Sequence, residues 1–201
     1  MNILLQLQGL LDKSRKIDFL APLLLRIFLA PILIIAGYGK LTGLENTAAY
    51  FGNPDWGLGM PAPMLMAVLA GATEFFGGIA ILIGFATRWF AIPLMFTMVV
   101  AAGTAHWQNG WHALPEQTLT VPWEWRMDKI EGAADRKNKA REILKEHSNY
   151  DYITEYGSVT ILKNGIEFAA TYFLMLLVLF FIGGGRYASL DYWIKKRFDP
   201  D

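Results

Sequence analysis

Cysteine is absent from the 201 residues. That excludes disulfides, thiolate metal sites and thiol redox chemistry carried by this chain. An excess of one charge is absent too: 18 Lys and Arg balance 18 Asp and Glu. Nothing in that balance points to a nucleic-acid partner. Histidine is scarce, with three in all. His106 and His112 are six apart and do not share a helix face, and no HxxxH spacing occurs. Haem and structural zinc are therefore not expected, and no metal site is assigned. Met60, Met64 and Met66 leave a copper reading open, but methionine is common in membrane helices. The N-terminal MNILLQLQGLLDKSRK lacks a small-residue cleavage site, so no cleavable signal peptide is expected. Internal repeats are also missing, which weighs against a small transporter working by alternating access.

What is present is apolar length. Four runs, about 19–41, 62–84, 89–109 and 161–183, approach the roughly 20 residues that cross about 30 Å of hydrocarbon. They are rich in Leu and Ile and lack the period-2 alternation of barrel strands, so helices are expected. The expected fold is all-α: a polytopic membrane protein with a bundle of four transmembrane helices. Residues 3–16 place Ile3, Leu4, Leu7, Leu10 and Leu11 before Lys13, Arg15 and Lys16, which predicts an amphipathic helix at the interface. Basic residues flank the first span (Lys13, Arg15, Lys16), the short second link (Arg88) and the C-terminal tail (Arg186, Lys195, Lys196, Arg197). The loop LTGLENTAAYFGNPDWGLGMPAP carries Glu45 and Asp55 and no basic residue. This asymmetry predicts that both termini are cytoplasmic. Residues of about 110–160 then form a long outer loop within a single domain, 1–201. AADRKNKAREILKEHSN reads there as a surface helix, with Asn149 as its left-handed stop. The tryptophans and tyrosines around this loop read as an interfacial belt.

Charged residues inside apolar runs are costly and carry the functional reading. Arg26 lies about 10 Å into the first run and Glu74 about 18 Å into the second from the opposite side. Those depths nearly coincide, so Arg26 and Glu74 are candidates for a buried ion pair; a protonated Glu74 is the other reading. Lys40, Glu74, His106 and Glu167, with Tyr38, Thr104 and Asn164 near the same level, could form a polar pocket open to the outside. Such a set mixes donors, acceptors and proton carriers suited to a quinone head group. The plainer readings are a snorkelling Lys40, a belt His106, and Glu167 and Arg26 as register pins. Arg88, in the turn GFATR, is placed at the inner interface beside lipid phosphate. No catalytic residue is assigned.

The segments LLLRIFLAPILIIAGYGKL, GLGMPAP, ATEFFGGIAILIGFATRW, MVVAAGTAHW and GGGRYASLDYWI resemble those of DoxX family membrane proteins. They cover the four apolar runs and combine Arg26, Lys40, Glu74, Arg88 and His106. FGNPDWGLGMP, REILKEHSNYDYIT and NGIEFAATYF look more like HvfX-type members, a subgroup associated with copper-binding, ribosomally synthesised modified peptides. The resemblance implies a four-helix protein of the bacterial inner membrane. It further implies an accessory role in maturation, export or copper handling of a modified peptide, or in a membrane redox complex. A quinone-interacting subunit of a thiosulfate:quinone type oxidoreductase is the alternative. Membrane lipid, a protein partner or modified peptide, and an oligomer are the implied associations.

Overall fold

The computed structural model describes residues 2–114 and 117–199, and the side chains of Ile3, Leu4 and Leu10 lie outside the described part. Every regular element among the described residues is helical. In chain order the α-helices are α1 (Asn2–Lys13), α2 (Leu20–Thr42), α3 (Leu44–Gly52), α4 (Pro63–Ile83), α5 (Thr87–Ala101), α6 (Met127–Ile130), α7 (Ala133–His147), α8 (Tyr150–Thr154), α9 (Glu167–Ile182) and α10 (Leu190–Phe198). The chain divides into two compact units, Met1–Met98 with Tyr172–Asp201, and Val99–Thr171.

Three helical stretches, Leu20–Thr42, Pro63–Ile83 and Thr87–Asn109, are long and apolar enough to cross a membrane. They match three of the four expected runs to within two residues. The fourth run is shorter than its composition suggested. Helix α9 has 16 residues, about 24 Å at the usual rise. It starts at Glu167 because residues 163–167 are used otherwise. The amides of Lys163 and Asn164 donate to Ala113 O, Gly165 N to His112 O, Ile166 N to Gly110 O and Glu167 N to Trp111 O. Gly165 is needed for this approach: a Cβ there would lie 2.5 Å from the carbonyls of Gly110 and His112. Asn164 sits at φ 59°, a left-handed conformation that Asn tolerates better than most residues.

In the first unit, Leu29, Leu33, Ile81, Leu94, Leu176 and Leu179 are buried together with Met98. Helices α2 and α4 form the closest pairing, and α3 packs on α4. Gly37 makes this possible: a Cβ on it would stand 2.7 Å from Gly71 O and 2.8 Å from Phe75 Cα. Small residues at this seam let backbones touch, which is how apolar helices gain dispersion energy where no water is expelled. Helix α2 continues through Pro31 and α5 through Pro93. Helix α3 lies within the segment read from the sequence only as a loop, and a turn-rich cap follows it. The cap itself is present: Asn53 Oδ1 accepts from the amides of Asp55 (2.8 Å) and Trp56 (3.1 Å).

In the second unit, the segment expected as a loop is folded around α6, α7 and α8. The surface helix is α7, but Asn149 is not its left-handed stop. Its φ is −77°, and its side chain caps α8 by accepting from Tyr152 N at 3.2 Å. An Asx cap at a helix start suits Asn as well as a stop does, so the sequence placed the residue correctly and its role one helix too early. Trp107 stacks on Trp125 with centroids 4.6 Å apart, and Trp111 meets Trp123 edge-on at 5.6 Å.

Candidate functional site

The first polar centre joins α2 to α4. Lys40 Nζ donates to Glu74 Oε2 at 2.5 Å; the Glu74 side chain is 8% exposed and that of Lys40 27%. This replaces the expected Arg26–Glu74 pair. Depth counted from the end of each run does not give the register between two helices; packing does. Gly37 faces Gly71 and Phe75, and Ile34 faces Gly78. Lys40 is then the cation near Glu74, because helical side chains slant toward their own N-terminus and carry its ammonium deeper. Tyr38 and Phe75 stand beside it with ring centroids 6.3 Å apart. A partly open ammonium on a nearly buried carboxylate can hydrogen-bond a carbonyl and pass a proton.

Arg26, on α2, meets α4 at Ile81, seven residues past Glu74 and about 10 Å from it by helix rise. It is buried, and among the described residues no carboxylate lies within ion-pair distance of it. Its Nε donates to Ile81 O (2.8 Å), Nη1 to Gly184 O (2.7 Å) and Ala188 O (3.1 Å), and Nη2 to Leu82 O (2.6 Å) and Ala188 O (3.1 Å). Those of Ile81 and Leu82 belong to the last turn of α4, where carbonyls lack helical partners and the helix dipole is negative. Close by, Asp191 accepts from the amides of Ala86 (2.6 Å) and Thr87 (2.9 Å) at the start of α5. Arg26 and Asp191 are thus helix caps made by side chains distant in sequence. Arg88 donates to Phe180 O at 2.8 Å and lies over the Phe180 ring. Arg88 was expected beside lipid phosphate, and this contact with Phe180 was not foreseen.

The other two expected pocket residues belong to the second unit. His106 ends a π-helical turn, Ala102–His106, that widens the helix after α5. Such turns insert an extra residue and often mark functional positions. His106 Nδ1 is 2.9 Å from Asn164 O, which also accepts from Asn109 Nδ2 at 3.2 Å. Glu167 Oε2 accepts from Ala113 N at 2.9 Å. Lys40 and Glu74 therefore come together, as do the segments carrying His106 and Glu167, each pair in its own unit.

The sequence reading missed a third centre. Glu124, whose side chain is fully buried, accepts from Lys163 Nζ (2.6 Å) and from the amides of Trp111, His112 and Arg126. Burial alone would raise its pKa, but the Lys163 ammonium and those backbone donors outweigh that and hold it at about 2. Asp128, exposed, is also held at about 2, chiefly by its hydrogen bonds from Arg126. The only signal in the sequence was a Glu amid tryptophans, VPWEW, and a Lys before Asn-Gly. No three His, Asp or Glu side chains among the described residues gather to hold a metal ion.

The DoxX family profile matches residues 21–107, which hold Arg26, Lys40, Glu74, Arg88 and His106. The inner membrane protein YphA of Escherichia coli (strain K12) is 36% identical over 113 residues, 55% of this chain and 76% of that protein. The inner membrane protein YqjF of the same organism is 38% identical over 88 residues, 43% of this chain and 63% of its own length. CatD of Bacillus subtilis (strain 168), whose name carries a proposed oxidoreductase role, is 33% identical over 79 residues, 39% of this chain and 54% of that protein. No solved structure gives a significant match. With three helices of membrane-crossing length and two inner membrane relatives, this is a multi-pass inner membrane protein, and it belongs to the DoxX family.

Proposed function

We propose that the chain is an accessory subunit of a membrane redox complex and that the Lys40–Glu74 pair is its ligand- and proton-handling site. The carrying observation is this pair itself, a nearly buried carboxylate with a half-open ammonium between two apolar helices. A structural pin would gain from complete burial of both partners, as with Arg26; partial exposure of Lys40 instead leaves donors for an incoming carbonyl. A quinone head group offers two such carbonyls and takes up protons on reduction, so the residues fit that class. The oxidoreductase role in the name of CatD, a relative over 39% of this chain, supports the same reading. In this arrangement α9 is the fourth span, both termini are cytoplasmic, and α1 lies along the interface. The exposed Leu7 and Leu11 suit that position for α1.

The test is chemical analysis of protein purified in mild detergent, with quinone in an organic extract and metal measured in the same sample. Near one quinone per chain, lost in Glu74→Gln while the helical spectrum is unchanged, supports the proposal. If no quinone co-purifies and Glu74→Gln only lowers abundance, the pair is structural. Lys40→Met with Glu74→Leu should then restore abundance, since well-packed apolar pairs replace buried ion pairs at little cost. Copper in that sample would instead favour handling of a modified peptide, with the folded second unit as the surface it meets.

A further inference from the structure

The second unit contains a cleft of about 430 Å³ lined by Asn109, Asp128, Lys129, Arg136, Lys163 and the apolar pair Ile161 and Leu162. Its charges are not balanced. Lys163 is neutralised by Glu124 at 2.6 Å, and Asp128 by Arg126 at 2.6 Å. Lys129 and Arg136 have no carboxylate within ion-pair distance among the described residues. Lys129 Nζ spends one donor on Asn109 Oδ1 at 3.2 Å. Arg136 uses Nη2 on the carbonyls of Lys129 and Glu131, a pair of bonds that fixes the guanidinium against α6. Ile161 and Leu162 are 43% and 59% exposed. Two cations outside any ion pair, one of them held by backbone carbonyls, beside an apolar wall fit one class of ligand.

We propose that this cleft binds a small organic anion, one carboxylate or phosphate group on a short apolar body. The anion would sit between Lys129 and Arg136, with the body on Ile161 and Leu162. The site is independent of the Lys40–Glu74 reading. Binding is also read out at His106. Asn109 accepts from Lys129 and donates to Asn164 O, the carbonyl that His106 Nδ1 contacts. An anion that draws Lys129 off Asn109 frees that amide to turn, and the shared carbonyl is left to His106.

The experiment titrates the full chain in detergent micelles with butyrate or butyl phosphate, chains too short to partition strongly into the micelle. It follows the Asn109 amide and His106 ring by nitrogen–proton NMR. The expected result is saturable shifts of both groups, with affinity at least about tenfold weaker in Lys129→Gln with Arg136→Gln, a change of about 1.4 kcal/mol. Lys139→Gln, which alters net charge on the same unit and is not among the lining residues, should leave affinity unchanged. Bicelles containing phosphatidylglycerol separate the sources: shifts already present there and blocking the free anion identify a lipid head group, whereas no effect identifies a soluble ligand. The proposal is overturned by no saturable shift up to about 10 mM, by equal shifts with neutral butyramide, or by full binding in a double variant whose spectrum shows it folded.

Discussion

The two units bury a carboxylate in opposite ways. In the first, Glu74 lies among apolar helices with one partner, an ammonium that remains 27% exposed. In the second, Glu124 is enclosed by a lysine 5% exposed and by backbone amides from three residues. The first arrangement leaves hydrogen-bonding capacity unspent; the second spends nearly all of it. The same contrast separates Arg26 from Lys40 within the first unit. A saturated polar group fixes structure, because disturbing it strands several buried partners. An unsaturated one next to an opening can exchange its partner for a ligand.

That contrast can be broken at several points. The largest effect should come from Arg26→Met, which strands the carbonyls of Leu82, Gly184 and Ala188 and takes one of two donors from Ile81 O. A loss of about 3–5 kcal/mol is expected, seen as a sharp fall in abundance and in the thermal midpoint in detergent. If Arg26→Met behaves like wild type, the saturated knot is not what holds the first unit. Next comes Glu124→Gln, which leaves Lys163 buried without a counter-charge, at about 3 kcal/mol. Hydrogen exchange should accelerate over 110–113 and 163–167.

Glu124 also makes the comparison depend on pH. Its folded pKa, about 2, is below the ordinary 4.5. The unfolded chain therefore binds the proton more readily, and stability from this group is full above about pH 4.5 and lost as pH falls toward 2. Acid titration followed by tryptophan fluorescence should show the second unit loosening across that window. Glu124→Gln should flatten the response; an unchanged acid transition in the variant would assign it to other carboxylates.

A smaller effect is expected at the α2–α4 seam. Gly37→Ala forces a methyl against the Phe75 backbone and Gly71 O, costing about 1–3 kcal/mol. If the Lys40–Glu74 pair depends on that close approach, quinone retention should fall together with the thermal midpoint. The smallest change should follow Lys139→Gln, which breaks an exposed ion pair with Asp135 at 3.0 Å. A shift under about 0.5 kcal/mol is expected there, which sets the scale against which the buried groups are judged.

Particular residues show what could be read beforehand. Leu20–Thr42 and Pro63–Ile83 were legible because an unbroken apolar run of that length leaves the backbone few alternatives to helix. Helix α7 was legible from its spacing of Ile and Ala. The start of α9 was not: the run was begun at Ile161 across Lys163, Asn164 and Gly165, and pairing with 110–113 holds those residues outside the helix. Glu124 was invisible for a related reason: its partners come from Trp111, His112 and Lys163, and nothing local marks it as buried. Lys40 and Glu74 were read into one polar set, but Glu74 was paired with Arg26, because depth counted along one helix carries no information about register between two.

The sequence by itself determined an all-helical chain with membrane-crossing apolar segments, the few charged residues placed within them, and the motifs that mark the DoxX family. Hydropathy and helical period are properties of a single segment, so one segment suffices to read them. Only the tertiary structure decided which charge meets which: Lys40 with Glu74, Arg26 with four carbonyls, and Glu124 with Lys163. Those pairings depend on a glycine seam, a capped helix end and a backbone turned at Asn164, which set distances between segments far apart in the chain. A buried charge takes whichever partner that packing brings within hydrogen-bonding reach, since a buried charge left unpaired costs far more than one paired.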